Sequence, residues 1–171
     1  MKRVVLISML SAGSLALGAC AKKAPEELPP PPVDTSVPTS TPTPTPTGPI
    51  PGTQAHFENA VNGQNVIYFD TDQYNVDTVD AGALQTQAQY LMQYSNVNAT
   101  IQGHTDERGT RDYNLALGER RANSAKNYLV GLGVPAARLQ TVSYGKEQPV
   151  ATGSNAQAWA QNRRAATIVI N

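Results

Sequence analysis

Apolar residues follow different patterns along this chain, and each pattern predicts a different kind of segment. The first is a predominantly apolar run from Val4 to Leu17 behind Lys2 and Arg3, followed by the small residues Gly18 and Ala19 and the single cysteine, Cys20. That core is shorter than the roughly 20 residues needed to span a bilayer, and with a basic front and a small-residue end it predicts a secretory signal over residues 1–19. From residue 20 to 53 the apolar pattern disappears. All of the 13 prolines except Pro135 and Pro149 lie in this stretch or at its end, alternating with threonine from Thr41 to Thr47. Such a segment offers few regular backbone donors and no apolar face, so it predicts an extended tether. At ~3.1 Å per residue it could reach on the order of 100 Å when fully stretched.

From residue 54 to 171 the pattern becomes periodic, over a length suited to one domain with a modest core. The short apolar run Val66 to Phe69, bounded by Asn65 and Asp70, predicts a strand. Leu84, Ala88 and Leu91 recur at helical spacing and predict an amphipathic helix ending near Tyr94. A second strand is expected over Asn98 to Gln102. The next helix, about Tyr113 to Gly131, carries Ala122, Ala125, Leu129 and Leu132 on one stripe, and Gly131, Gly133 and Pro135 end it. Thr141 to Tyr144 predicts a third strand, Asn155 to Gln161 a short helix, and Ala166 to Ile170 a last strand. The alternation predicts an α/β two-layer sandwich, a mixed four-stranded sheet packed against helices.

Candidate chemistry concentrates between Gly103 and Ser124, GHTDERGTRDYNLALGERRANS. A strand ending at Gly103 puts Thr105 and Asp106 in a turn that Gly109 lets bend sharply. Asp106 and Arg121 then border one cleft. A carboxylate accepts from an ammonium and a planar guanidinium takes a carboxylate, so the pair suits a zwitterion. Spacing alone leaves this open, because Arg121 lies roughly 12 to 15 Å along the helix at 1.5 Å per residue. Asp106 equally fits a residue that caps the turn. Arg120, about 100° away, is expected on a solvated face or paired with Glu119 or Glu147.

Other chemistries fit less well. Asp70, Asp72 and Asp77 resemble a calcium loop, but Tyr74, Asn75 and Ala81 occupy its ligand, glycine and twelfth positions. His56 and His104 lack partners at metal-ligand spacing, and no Ser or Cys is paired with a base in a nucleophile motif, so neither metal, cofactor nor enzymatic activity is expected. Once Lys2 and Arg3 are removed, the 13 acidic side chains outnumber the basic ones, which disfavours nucleic acid.

Two resemblances add to this. Leu17, Gly18, Ala19 and Cys20 resemble a bacterial lipobox, which implies lipidation at Cys20; Ala21, where an Asp would imply inner-membrane retention, favours the outer membrane. At about 0.8 kcal/mol per buried methylene, two or more acyl chains give a firm anchor. The Gly103–Ser124 string resembles the signature of outer-membrane protein A-like (OmpA-like) domains, as do Tyr68, Phe69 and Asp70, then Ser143, Tyr144 and Gly145, then Asn162, Arg163 and Arg164. Together they cover nearly all of residues 54–171.

The resemblance implies an OmpA-like domain that binds peptidoglycan, with Asp106 and Arg121 holding the diaminopimelate of the stem peptide. It places Phe69 and Asp70 in a wall of the pocket and brings Arg108 toward the ligand's peptide. Leu117 would supply an apolar contact, and Thr105 and Gly109 amides or a hydroxyl. Phe69 equally fits the core, and Arg163 and Arg164 fit either a surface pair or a patch for a partner or the wall. The lipobox and tether point to the lipoprotein branch, which works with periplasmic TolB and other Tol-system proteins in envelope integrity and cell division. The implied site is periplasmic, with the outer membrane reached through the lipid. The alternative is an OmpA-like lipoprotein that acts mainly as a protein-interaction module. Substitution of Asp106 or Arg121 by alanine is expected to abolish wall binding and to leave the fold intact.

Overall fold

The computed structural model describes residues 48–170. The signal over residues 1–19, Cys20 and the tether as far as residue 47 lie outside the described residues.

The elements run α1 (Gln54–Ala60), β1 (Val66–Tyr68), α2 (Thr78–Gln93), β2 (Asn98–His104), α3 (Arg111–Gly131), a 3₁₀ turn (Ala136–Arg138), β3 (Leu139–Gly145), α4 (Ala156–Asn162) and β4 (Arg164–Ile170). The sheet order is β1-β4-β2-β3. β4 is antiparallel to both its neighbours, and β2 is parallel to β3. This is the mixed four-stranded sheet expected from the sequence.

Alternation explains how the sheet meets its helices. Ala99 and Ile101 on β2 and Ala165, Thr167 and Val169 on β4 are buried, pointing to one face as a period of two requires. Against that face pack Phe57 of α1, Leu84, Ala88 and Leu91 of α2, and Ala122, Ala125 and Leu129 of α3, in one core cluster. Gln87 is fully buried but satisfied: it donates to the Gln64 carbonyl at 2.6 Å and accepts from Thr167 Oγ1 at 2.7 Å.

Some boundaries differ from expectation, and capping accounts for them. The helix α1 was not anticipated, although Thr53 caps His56 N–H and Phe57 and Val61 sit one turn apart and fully buried. Asp77 starts α2 about two turns before Leu84 by accepting from Asp80 N–H at 2.7 Å. Thr110 does the same for α3, accepting from Tyr113 N–H at 3.3 Å.

One close approach positions the site. A Cβ on Gly103 would collide with the Gly118 carbonyl oxygen, and one on Gly118 would collide with Ser143 Oγ. Glycine at both positions lets α3 lie directly on β2 and β3. That removes the axial separation expected between turn and helix, because the strand delivers His104 and the following turn to the side of α3 that carries Arg121.

Candidate functional site

Asp106 sits in the turn between β2 and α3, and Gly109 (φ +87°) reverses the chain there. The Asp106 side chain is nearly buried and already occupied. Arg108 donates from Nε to Oδ1 at 3.0 Å, from Nη2 to Oδ2 at 2.6 Å and from its backbone N–H to Oδ1 at 3.1 Å. Arg163 Nη1 lies 3.5 Å from Oδ2. Burial alone would raise the Asp106 pKa; the bonds from Arg108 and the charges of Arg108 and Arg163 outweigh it and hold the carboxylate below its usual range. Asp106 therefore does shape the turn, through its bond to the Arg108 amide, while the cap of α3 belongs to Thr110.

Arg121 is held quite differently. It is fully buried, and its Nε, Nη1 and Nη2 donate to the carbonyls of Gln73, His104 and Asp70 at 2.8, 2.9 and 3.0 Å. Its guanidinium carbon lies 5.2 Å from the Phe69 ring centroid. Burial, then the Arg163 charge, pushes its pKa down to about 10, with Asp106 opposing, so it stays cationic at neutral pH. An arginine carries five N–H donors, so one remains on each terminal nitrogen.

The two charges share a cavity of about 320 Å³, whose lining also includes Thr105, Arg108, Gly109 and Leu117. Six of the eight ligand-site residues expected from the sequence therefore meet. Phe69 and Asp70 do not line it. Phe69 is buried against Arg121, and Asp70 offers Arg121 its carbonyl; both residues line a separate, larger cavity. Thr105 contributes less than expected, because its N–H is donated to the Gly145 carbonyl at 2.8 Å and its hydroxyl to the Asp106 carbonyl at 3.2 Å.

Several lining residues were missed. Asn114, buried one turn into α3, donates to the carbonyls of Arg108 and Thr110 at 2.7 and 3.0 Å and so ties the turn to the helix. Arg163, far away in sequence, enters the cavity because β4 pairs with β1; it donates to the Phe69 carbonyl at 2.8 Å. Neither it nor Arg164, which is buried, forms a simple surface pair. Arg120 lies over the Tyr74 ring at 6.0 Å, and Glu147 pairs with Arg111 at 3.3 Å instead.

α4 braces the turn from outside. Arg108 stacks on Trp159 at 4.3 Å, and Trp159 Nε1 donates to Glu107 Oε1 at 3.0 Å. Lys146 Nζ donates to the carbonyls of Glu107 and Gly109 at 3.2 and 2.7 Å.

The chain is a mixed sheet backed by helices, with an acid from the turn after β2 and a base from α3 lining one cavity. Residues 68–163 match the OmpA family, and the chain belongs to that family. It is 50% identical over 119 residues to the peptidoglycan-associated lipoprotein of Rhizobium meliloti, a match covering 70% of this chain and 66% of that protein. The protein of that name from Pseudomonas aeruginosa is 50% identical over 107 residues, 63% of each chain. The crystal structure of the peptidoglycan-associated lipoprotein from Burkholderia pseudomallei superposes with a TM-score of 0.64 at 45% identity, over 66% of this chain and 96% of that one. The C-terminal domain of Helicobacter pylori MotB shares the fold at 19% identity, with a TM-score of 0.57 over 62% of this chain and 84% of that one.

Proposed function

We propose that this chain is an outer-membrane lipoprotein, anchored through Cys20, whose domain binds peptidoglycan non-covalently in the periplasm. It is a binding protein without enzymatic activity, and the Pro/Thr-rich segment up to residue 53 is its spacer. The observation that carries this reading is the shared cavity: Asp106 and Arg121, distant along helix and turn, line one space sized for an amino-acid head. The family relatives named peptidoglycan-associated lipoprotein support the same ligand.

In this reading the diaminopimelate ammonium takes Asp106 from Arg108, and the free N–H groups of Arg121 take the carboxylate. Gly109 shapes the turn and Leu117 packs beside the ligand's aliphatic stem. Hydrogen bonds to charged groups contribute roughly 1.5 to 3 kcal/mol each, so two or three of them, after ordering costs, correspond to micromolar to millimolar affinity. Polymeric wall and a tethered domain convert that into lasting attachment through rebinding. TolB and other Tol-system proteins are the proposed protein partners, with TolB competing for the same face.

Sedimentation of the purified chain with isolated peptidoglycan tests this. Wild type is expected to pellet with the wall and Asp106→Ala to remain soluble with an unchanged circular dichroism spectrum. Equal pelleting by both would refute the site.

A further inference from the structure

We propose that a second cavity, beside the first, receives the neutral sugar rings of the same wall ligand; this rests on the peptidoglycan reading above. The second cavity has a volume of about 740 Å³, more than twice that of its neighbour, and Arg163 lines both. Asp70 and Gln73, whose carbonyls hold Arg121, also line it. A ligand whose amino-acid head lies against Asp106 and Arg121 therefore has an adjoining space across Arg163 for the rest of the molecule.

The chemistry of the second cavity selects which part. Tyr68 is 51% exposed and Val79 80% exposed on its walls, giving an aromatic and an aliphatic surface suited to the C–H face of a pyranose. Asp70, Gln73 and Gln161 add acceptors and amide donors for hydroxyl and acetamido groups. The platform is fixed: Tyr68 pairs with Arg164 of β4 and donates its backbone N–H to Asp80 Oδ2 at 3.2 Å. Charge disfavours the alternative part of the fragment. Three acidic residues, Asp70, Asp77 and Asp80, line this cavity against one cationic residue, Arg163, and that acidic excess opposes the carboxylates of a stem peptide. The sugars are uncharged, because the lactyl carboxyl of the muramic acid is spent in its amide to the peptide.

The test uses calorimetric titration of the full-length chain with a diaminopimelate tripeptide, alone or carrying its N-acetylglucosaminyl-N-acetylmuramic acid disaccharide. In wild type the disaccharide is expected to tighten binding roughly three- to tenfold. Tyr68→Ala should abolish that gain while leaving peptide-only affinity unchanged, and Tyr68→Phe should retain it. Equal affinities for the two ligands in wild type, or a gain that survives Tyr68→Ala, would overturn the proposal and leave the peptide site standing. Failure of both ligands to bind would overturn the wall reading as well. A lysine-rich peptide that binds and is lost in Asp70→Asn, while the disaccharide adds nothing, would assign the groove to a protein segment instead.

Discussion

Asp106 and Arg121 line the same cavity, yet the protein holds them by opposite means. Asp106 is gripped by side chains, chiefly Arg108, whose own side chain is 42% exposed and can leave. Arg121 is gripped by backbone carbonyls from β2 and from the loop after β1, which cannot leave without unmaking the fold. The difference separates two duties that the sequence presents as one pair. Arg121 is framework that also lines the cavity; in the proposed reading Asp106 is the exchangeable half, with an internal cation in the place a ligand ammonium would take.

Removing the framework half should do the greatest damage. Arg121→Ala strips three carbonyls of a charged donor inside the core and is expected to cost about 3–5 kcal/mol of stability, read by chemical denaturation. This revises the expectation that the substitution spares the fold. An unchanged denaturation midpoint would show that the carbonyl cage carries no load.

The residue that lends Arg121 one of those carbonyls makes the framework sensitive to acid. His104 is buried, stacks on Tyr144 at 5.4 Å, and neither ring nitrogen makes a hydrogen bond of normal geometry. Burial, then the Arg164 charge, lowers its pKa from 6.5 to about 4, with the Gln148 backbone opposing. The unfolded chain thus binds a proton that the folded chain refuses between those values. Stability is therefore expected to be full above pH 6.5 and to fall by about 2–3 kcal/mol as pH drops toward 4. His104→Phe, which keeps the stacked ring, should flatten that slope in pH-dependent unfolding; an identical slope would place its origin elsewhere.

The exchangeable half should behave in reverse. Asp106→Asn is expected to weaken the diaminopimelate peptide roughly 10- to 100-fold, the loss of one charge-assisted interaction, with a change in stability under about 1 kcal/mol. A large loss of stability would make Asp106 framework too. The smallest effect belongs to Arg108→Gln. Freeing Asp106 from its internal partner should raise affinity for the peptide by about two- to fivefold, the worth of an ion pair whose cationic partner is solvent-screened. Trp159, the single tryptophan, reports the same exchange, since Arg108 stacks on it. Ligand should shift its emission in wild type and leave it unchanged in Arg108→Gln.

Much of this was legible from local pattern. The strands, α3 and its Ala122–Ala125–Leu129 stripe follow from periodicity, and the Asp106 turn follows from Gly109. What escaped depends on contacts between distant segments. Gly103 and Gly118 are individually ordinary; only their mutual approach removes the distance that seemed to separate Asp106 from Arg121. Arg163 reaches Asp106 because β4 inserts between β1 and β2, a pairing order that spacing does not encode. Trp159 on α4 and Lys146 just after β3, which pairs with β2, brace the turn through contacts likewise distant in sequence. The shift of Phe69 and Asp70 to a second cavity follows from Arg121 taking the Asp70 carbonyl and covering Phe69, which no count of residues reveals. α1 was recoverable, since Thr53 followed by Phe57 and Val61 is a capped helical turn.

The most direct measurement is a paired titration of the protein with two stem peptides that differ only in the third residue, diaminopimelate or lysine. The lysine peptide keeps the ammonium for Asp106 but has no second carboxylate for Arg121. Binding of the diaminopimelate peptide at least about tenfold tighter, with both peptides losing affinity in Asp106→Asn, is the expected result. Equal affinity for the two peptides would contradict the claim that this cavity reads both ends of a zwitterion.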